Sequence, residues 1–159
     1  MPIPAAPAAG ATPASVAVAL FHQLHDELRS LIYSCDQATL NFVPCDGANS
    51  ISTIVTHVVG SEAESVMTAA GIDCNRHRDD EFRRGVQSAA ALLGQLDAAD
   101  LLLDEVAPAF TDERLTHSLP LPTLPSNETR PALTWLIGNL GHAREHVGHA
   151  FLTKQLHDA

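Results

Sequence analysis

The chain has 159 residues, of which 45% are hydrophobic, 18% charged and only 4% aromatic, and its formal net charge at pH 7 is −10. This length suits one domain with a real core, and the acidic surface argues against nucleic acid and anionic membranes as partners, because their phosphates would repel it. The three cysteines, an odd number without C-x-x-C spacing, favour a reducing compartment, so we expect a cytoplasmic protein.

A tail and a first helix are predicted at the start of the chain. Residues 1–14 contain four prolines and no basic residue, which predicts a flexible tail and no secretory signal. The domain is therefore expected over residues 15–159. Its first helix is predicted from about Ser15 to Thr39, with Ser15 as N-cap, because leucines recur there at steps of three and four residues.

Two further helices are predicted in the middle of the chain. One is expected over residues 49–70, where Asn49 or Ser50 serves as the cap of a periodic apolar run. The next is expected over residues 79–106 and ends before Pro108. Its apolar stripe is predicted to consist of Phe82, Val86, Ala89, Leu93 and Leu96.

A proline-rich crossover precedes the last predicted helix. Residues 111–127 contain three prolines and predict an irregular, partly extended connection without a reliable hairpin signal. The last helix is expected from Asn127 or Glu128 to Leu156, with Pro131 tolerated in its first turn. No run of 18 apolar residues occurs, which argues against a membrane span.

Four helices, one long connection and no strand pattern predict an all-α fold, a single four-helix bundle. The length of the crossover before the last helix favours a topology other than simple up-down-up-down.

Histidine is abundant, with nine residues, and three of them lie in the segment GHAREHVGHAF. His142 and His146 are one helical turn apart, so both rings project from the same strip of the helix. This spacing lets two ring nitrogens reach one metal ion at about 2.0–2.1 Å. With nine histidines such a pair also arises by accident, so the spacing alone does not establish a site.

The helical wheel of the last segment separates two faces. One side is aliphatic and consists of Leu133, Leu136, Leu140, Val147 and Phe151. The opposite strip carries the three histidines together with Trp135 and Gly138. We interpret that strip as covered by a cleft or interface, with Gly138 permitting a close approach.

A third metal ligand is expected from another helix. His57 is the leading candidate because it lies beside the apolar stripe of the second helix, although a buried histidine there is otherwise a hydrogen-bonded core residue. Ser61 and Glu64 are candidates to orient its ring. His22 and His25 are expected at the surface or at the edge of the core rather than as ligands.

Two other metal-site motifs are less consistent with the sequence. Residues 142–146 match the H-x-x-E-H pattern of inverzincin peptidases, but Glu145 points away from the two histidines and the chain lacks an obvious downstream ligand helix. A di-iron bundle requires Glu-x-x-His, which does not occur in this sequence.

Three stretches of the chain resemble the DinB/YfiT-like superfamily of bacterial metal-binding four-helix bundles. They are LNFVPCDGANSISTIVTHVVGSE, NRHRDDEF and LGHAREHVGHAFLTKQL. The resemblance implies an up-down-down-up bundle, a homodimer, and one divalent ion, zinc or nickel, bound by His57, His142 and His146. His149 stands where many relatives have glutamine, which leaves it as an extra ligand or a proton-handling group.

The resemblance also implies the class of chemistry. A metal-dependent enzyme of this kind would be a hydrolase that uses a metal-bound hydroxide, or a transferase that joins a low-molecular-weight thiol to a small-molecule substrate. Two alternatives stay open: a non-catalytic metal-binding or sensing bundle with His149 as fourth ligand, and a helical dimer whose histidines are incidental.

Overall fold

Helices dominate the computed structural model, which describes residues 10–120 and 128–159. In chain order the elements are α1 (Pro13–Tyr33), α2 (Gln37–Asn41), α3 (Ile51–Ala70), α4 (Arg78–Glu81), α5 (Ala89–Val106), a 3₁₀ turn (Ala107–Ala109), α6 (Asp112–Thr116), β1 (Ser118–Pro120), β2 (Thr129–Pro131) and α7 (Ala132–Asp158). The predicted all-α bundle is confirmed. Residues 1–9 of the predicted tail and residues 121–127 of the predicted crossover lie outside the described residues.

Capping side chains explain where the helices begin. The hydroxyls of Ser50 and Ser88 accept hydrogen bonds from backbone amides of the first turns of α3 and α5. At α1, Thr12 is the N-cap, and Ser15, predicted as the cap, instead completes a capping box with it. The predicted helix over residues 49–70 is confirmed as α3, and its end at Gly71 has the left-handed conformation typical of a C-cap.

The predicted end of the first helix and the predicted start of the third helix are wrong. The first helix ends at Tyr33 rather than near Thr39, because Asp36 caps a separate short helix there. The third begins only at Ala89, since residues 82–88 leave the helical path and Gly85 has a φ of +67°. Phe82 and Val86, predicted in its apolar stripe, are 38% and 78% exposed.

The last helix begins at Ala132 rather than at residue 127 or 128. Residues 129–131 instead form β2, which pairs antiparallel with β1 over three residue pairs. The sequence carried no hairpin signal for this ladder because its strands are short and eight residues separate them. Trp135 anchors the ladder to α7, since its indole Nε1 donates a hydrogen bond of 2.7 Å to the carbonyl of Leu119.

The four long helices pack around two apolar clusters, stacked along the bundle. The first cluster includes Leu28, Leu31, Ile54, Leu92, Leu96 and Val147. The second includes Phe21, Val66, Leu103, Phe110 and Leu136. Phe151, predicted on the aliphatic face of α7, is 41% exposed, whereas Ala143 and Ala150 of the same helix are fully buried.

Where the two clusters meet, every long helix contributes a polar side chain. These residues are His25 of α1, Glu62 of α3, Asp100 of α5 and Asn139 of α7, and we call them the polar layer. Polar groups in a core must find hydrogen-bond partners or lose several kcal/mol of hydration. Each residue of the polar layer therefore needs a hydrogen-bond partner at the interface with a neighbouring helix.

Cross-helix contacts indicate how neighbouring helices run. Asn139 and His142 of α7 contact Ser61 and His57 of α3, respectively, so later residues of one helix meet earlier residues of the other. The complete up-down-down-up order and the homodimer stay predictions. None of the helices in residues 10–120 and 128–159 combines the length and apolar content that crossing a membrane requires.

The C-cap of α3 yields a test of this fold. Gly71→Ala should lower the free energy of unfolding by about 1–2 kcal/mol, because alanine disfavours the left-handed conformation. A Cβ at this position would also lie 1.7 Å from Nη2 of Arg114, whose Nε donates to the Ala69 carbonyl. Urea unfolding monitored by circular dichroism measures the change.

Gly94→Ala is the matched control. Gly94 lies inside α5, and within the described part of the chain a Cβ there meets no atom within 4 Å. Alanine at this exposed site should raise stability by up to about 1 kcal/mol. Equal effects of the two substitutions would contradict the role assigned to Gly71.

Candidate metal centre

The three predicted ligands lie together on two neighbouring helices. His57 is on α3, and His142 and His146 are one turn apart on α7. The Nε2 atoms of His57 and His142 are 3.1 Å apart, and the ring of His146 lies 4.9 Å from that of His57 and 4.4 Å from that of His142. One ligand atom from each residue lies within 4.8 Å of the other two. The predicted helical pair, His142 and His146, thus lies beside a third imidazole, that of His57.

His149 occupies a more outward position. Its ring is 5.6 Å from the ring of His146, and the residue is exposed. It does not belong to the group of converging ligand atoms. Its role as a fourth ligand or proton-handling group stays a prediction.

A carboxylate orients the ring of His57. Oε2 of Glu81 lies 2.8 Å from Nδ1 of His57, and both residues are buried. The neutral tautomer that donates Nδ1–H to this carboxylate presents the lone pair of Nε2 to α7. A histidine that donates its other nitrogen to a carboxylate is the usual arrangement of a metal ligand.

The residues expected to orient His57 have other partners. The hydroxyl of Ser61 accepts a hydrogen bond from Asn139, and the carboxylate of Glu64 accepts one from Arg76. Glu81 was missed because it lies 24 residues from His57 in the chain, on a segment predicted to be part of a longer helix. The acidic run of residues 79–81 was the only sequence signal for it.

Arg76 allows the two carboxylates to be buried. Its Nε and Nη2 donate hydrogen bonds of 2.7 and 2.9 Å to the two oxygens of Glu81, and its Nη1 donates one of 3.0 Å to Glu64. Burial raises the pKa of Glu81, but the hydrogen bonds from His57 and Arg76 outweigh that effect, so the pKa is lowered overall. Glu81 is therefore a carboxylate at neutral pH.

Gly60 makes room for this carboxylate against α3. A Cβ at position 60 would lie 2.3 Å from Oε1 and 2.9 Å from Cδ of Glu81. Because these distances are far below van der Waals contact, a larger side chain would push Glu81 away from His57. Gly138, which was expected to permit a close approach, has no atom of the described residues within 4 Å of such a position.

The two histidines of α7 are held in the neutral form that metal ligation requires. Burial and the nearby His57 lower the pKa of His142. Burial and the neighbouring histidines lower the pKa of His146 to about 4. Both rings therefore offer a nitrogen lone pair near pH 7.

One wall of the centre comes from Arg78 of α4 and from Phe82, which directly follows this helix. The ring of Phe82 lies 5.0 Å from the ring of His57, and the guanidinium of Arg78 lies 5.1 Å from the centre of the Phe82 ring. The charge of Arg78 contributes to the lowered pKa of His142, although less than burial does. An aromatic ring and a cation therefore flank the three histidines.

The chain is similar to members of one protein superfamily. The family model of the DinB superfamily matches residues 20–150. A conserved protein from Enterococcus faecalis has a TM-score of 0.69 at 15% identity, over 89% of this chain and 94% of that protein. Among curated proteins no relative matches.

Two further structures are of a mycothiol-dependent maleylpyruvate isomerase, one of them a histidine-to-alanine mutant. Their TM-scores are 0.65 and 0.66, with identities of 14% and 15%. The alignment covers 87% of this chain and 61% of the isomerase, so the chain spans less than two thirds of the isomerase's length. At such identities the likeness is one of fold.

The lowered pKa of His146 predicts how acid affects the metal-free protein. Its pKa of about 4 in the fold lies below the ordinary value of 6.5 that applies to the unfolded chain. Between these values the unfolded state binds the extra proton and the folded state does not, so stability falls as the pH drops from 6.5 towards 4. Urea midpoints of chelator-treated protein at pH 7.5 and pH 5 measure this loss.

His146→Gln should reduce the acid loss, because glutamine does not titrate. His117→Gln is the control, since His117 is exposed and lies outside the cluster, and its acid loss should equal that of the wild type. The same acid loss in all three proteins would show that His146 is not the titrating group.

Proposed function

The chain belongs to the DinB superfamily, and we propose that it is a metal-dependent enzyme that binds one divalent ion at His57, His142 and His146. The convergence of three imidazoles, one of them oriented by the buried Glu81, carries this proposal. The reaction we propose is transfer to a low-molecular-weight thiol, or hydrolysis.

The donor set fits a divalent ion. Three neutral nitrogen ligands suit zinc or nickel. Catalytic zinc sites commonly have three protein ligands and keep a further position for water or substrate. When bound, such an ion supplies a Lewis acid that lowers the pKa of a thiol or water.

The chain's own residues prepare the site for this chemistry. Glu81 keeps the proton of His57 on Nδ1, and Arg76 holds that carboxylate in place through two hydrogen bonds. The ring of Phe82 packs against the ring of His57. Arg78 places a positive charge beside the site, which favours an anionic small molecule such as a thiol that carries a carboxylate.

The choice of a thiol rests on one relative. The isomerase of similar fold depends on mycothiol, by its own description. Because the chain spans 61% of that isomerase, we transfer only the class of co-substrate and not the isomerisation.

Metal content and activity together test the proposal. Zinc- or nickel-loaded protein is incubated with several low-molecular-weight thiols and a panel of electrophiles and esters, and thiol loss and hydrolysis are recorded. We expect His57→Ala and His146→Ala to lose the ion of this centre and at least 100-fold of any activity found. His117→Ala, an exposed histidine outside the cluster, should behave as the wild type.

Two outcomes would contradict this function. If His57→Ala and His146→Ala hold as much metal as His117→Ala, the three histidines are not ligands. If they lose metal while a reaction proceeds at the wild-type rate, that reaction does not take place at this centre.

A non-catalytic role is the second candidate, favoured by the position of His149 beside His146. In that case His149 closes the coordination shell and metal mainly supports the fold. His149→Ala would then weaken metal binding strongly, and a chelator would lower the melting temperature sharply. Our proposal expects a small effect of His149→Ala on affinity, and a bundle that stays folded without metal on its two apolar clusters.

Gly60→Ala tests the support of His57 without touching a ligand. Because the added methyl group displaces Glu81, we expect metal affinity to fall by about 10–100-fold, the usual effect of losing a carboxylate that orients a ligand histidine. Competition with a zinc chelator measures the affinity. Gly138→Ala, at an open position of α7, is the matched control and should leave it unchanged. An unaltered affinity in Gly60→Ala would refute the role of Glu81.

A further inference from the structure

A second group of metal-ligating side chains lies apart from the three-histidine centre. It consists of His22 and His25 on α1 and Asp100 on α5, whose ligand atoms lie within 4.8 Å of one another. His25 and Asp100 belong to the polar layer between the two apolar clusters. His25 was expected at the surface or the core edge, yet it is fully buried.

The two histidines face Asp100 in the same way. Nδ1 of His22 lies 2.8 Å from Oδ1 of Asp100, and Nδ1 of His25 lies 2.6 Å from the same oxygen. Two imidazole nitrogens and one carboxylate oxygen thus converge on one point. This mixed nitrogen and oxygen donor set suits first-row divalent ions such as zinc, cobalt and nickel.

The opposite nitrogen of each ring meets a further carboxylate. Nε2 of His25 lies 2.7 Å from Oε2 of Glu62, and Nε2 of His22 lies 3.0 Å from Oδ1 of Asp104. Both histidines therefore have the arrangement typical of metal ligands, in which one nitrogen faces the ion and the other donates to a carboxylate.

The pattern of hydrogens marks Nδ1 of each ring as the position that an ion would take. A neutral imidazole carries one N–H, but each of these rings directs both nitrogens at carboxylate oxygens. Burial lowers the pKa of His25, but the hydrogen bonds and charges of Glu62 and Asp100 raise it overall, so without an ion this ring can donate from both nitrogens. A divalent ion would replace the protons on Nδ1 and leave each Nε2–H to donate to Glu62 or Asp104.

The charge of the surroundings also favours a cation. Three carboxylates contact the two rings, those of Glu62, Asp100 and Asp104. Arg29 is a cationic partner of Asp100 in the described contacts, and it also binds Asp97 at 2.9 Å. Acidic groups therefore outnumber this one arginine beside the rings, and Oε1 of Glu62 is buried without a hydrogen bond among the described residues.

We propose that His22, His25 and Asp100 form a second divalent-metal site, which ties α1 to α5 at the level of the polar layer. Glu62 and Asp104 orient the two histidines, and Arg29 orients Asp100 through its other oxygen. The ion enters from the side of His22 and Asp104, whose side chains are 34% and 67% exposed.

The number of zinc ions bound per chain tests this site. Equilibrium dialysis with elemental analysis is applied to the wild type, His22→Ala, His146→Ala, the double variant and His117→Ala. We expect two ions in the wild type and in His117→Ala, one in each single variant and none in the double variant. His22 is chosen because it is half-exposed, whereas a change of the buried His25 endangers folding.

This experiment can refute the proposal for either site independently of the other. One ion in the wild type and none in His22→Ala would support the second site and refute the three-histidine centre. The same number of ions in His22→Ala as in the wild type would overturn the second site.

Thermal stability supplies a second measurement. Zinc should raise the melting temperature of His146→Ala but not that of the double variant, because the second site joins two helices. Asp104→Asn should weaken zinc binding by about 10-fold through the orientation of His22. No zinc-dependent shift in His146→Ala would also overturn the proposal.

Discussion

Buried histidines that form hydrogen bonds with carboxylates of other helices are the constraint around which this bundle is arranged. The ring of His25 contacts the carboxylates of Glu62 and Asp100 at hydrogen-bond distance, and the ring of His57 contacts that of Glu81. An ion removed from water without a partner costs several kcal/mol, so each carboxylate must lie within hydrogen-bond distance of its ring. The positions of α1, α3 and α5 in the polar layer, and of α4 against α3, follow from this requirement.

The path of the segment between α3 and α5 also depends on such a contact between a histidine and a carboxylate. Glu81 has to meet His57 near the middle of α3, so α4 is short and turns back onto that helix. Arg76 pairs with the carboxylate of Glu81 and neutralises its charge, and the absence of a side chain at Gly60 leaves the space that this carboxylate fills. If α5 began at residue 79, as the sequence predicted, Glu81 would lie on that helix and away from His57. The interruption before Ala89 allows the contact between Glu81 and His57.

The same helix serves both groups of ligands. α3 carries His57 for the three-histidine centre and Glu62 for the polar layer, little more than one turn apart. It packs against α5, which carries Asp100 of the second site, and against α7, which carries His142 and His146 of the three-histidine centre. A shift of α3 along its axis would disturb both sites, so capping by Ser50 and Gly71, which sets its length, matters for each.

Local patterns in the sequence determined the all-helical class, the extent of α3 and the spacing of His142 and His146, because each depends on residues within a turn or two of one another. The nomination of His57 needed family resemblance. Tertiary structure decided the rest: the break before α5, the pairing of β1 with β2, and the contacts of Glu81 with His57 and of Glu62 with His25. Those partners lie 24 and 37 residues apart, and a carboxylate's distance to a ring in another helix depends on packing, which helical periodicity does not encode.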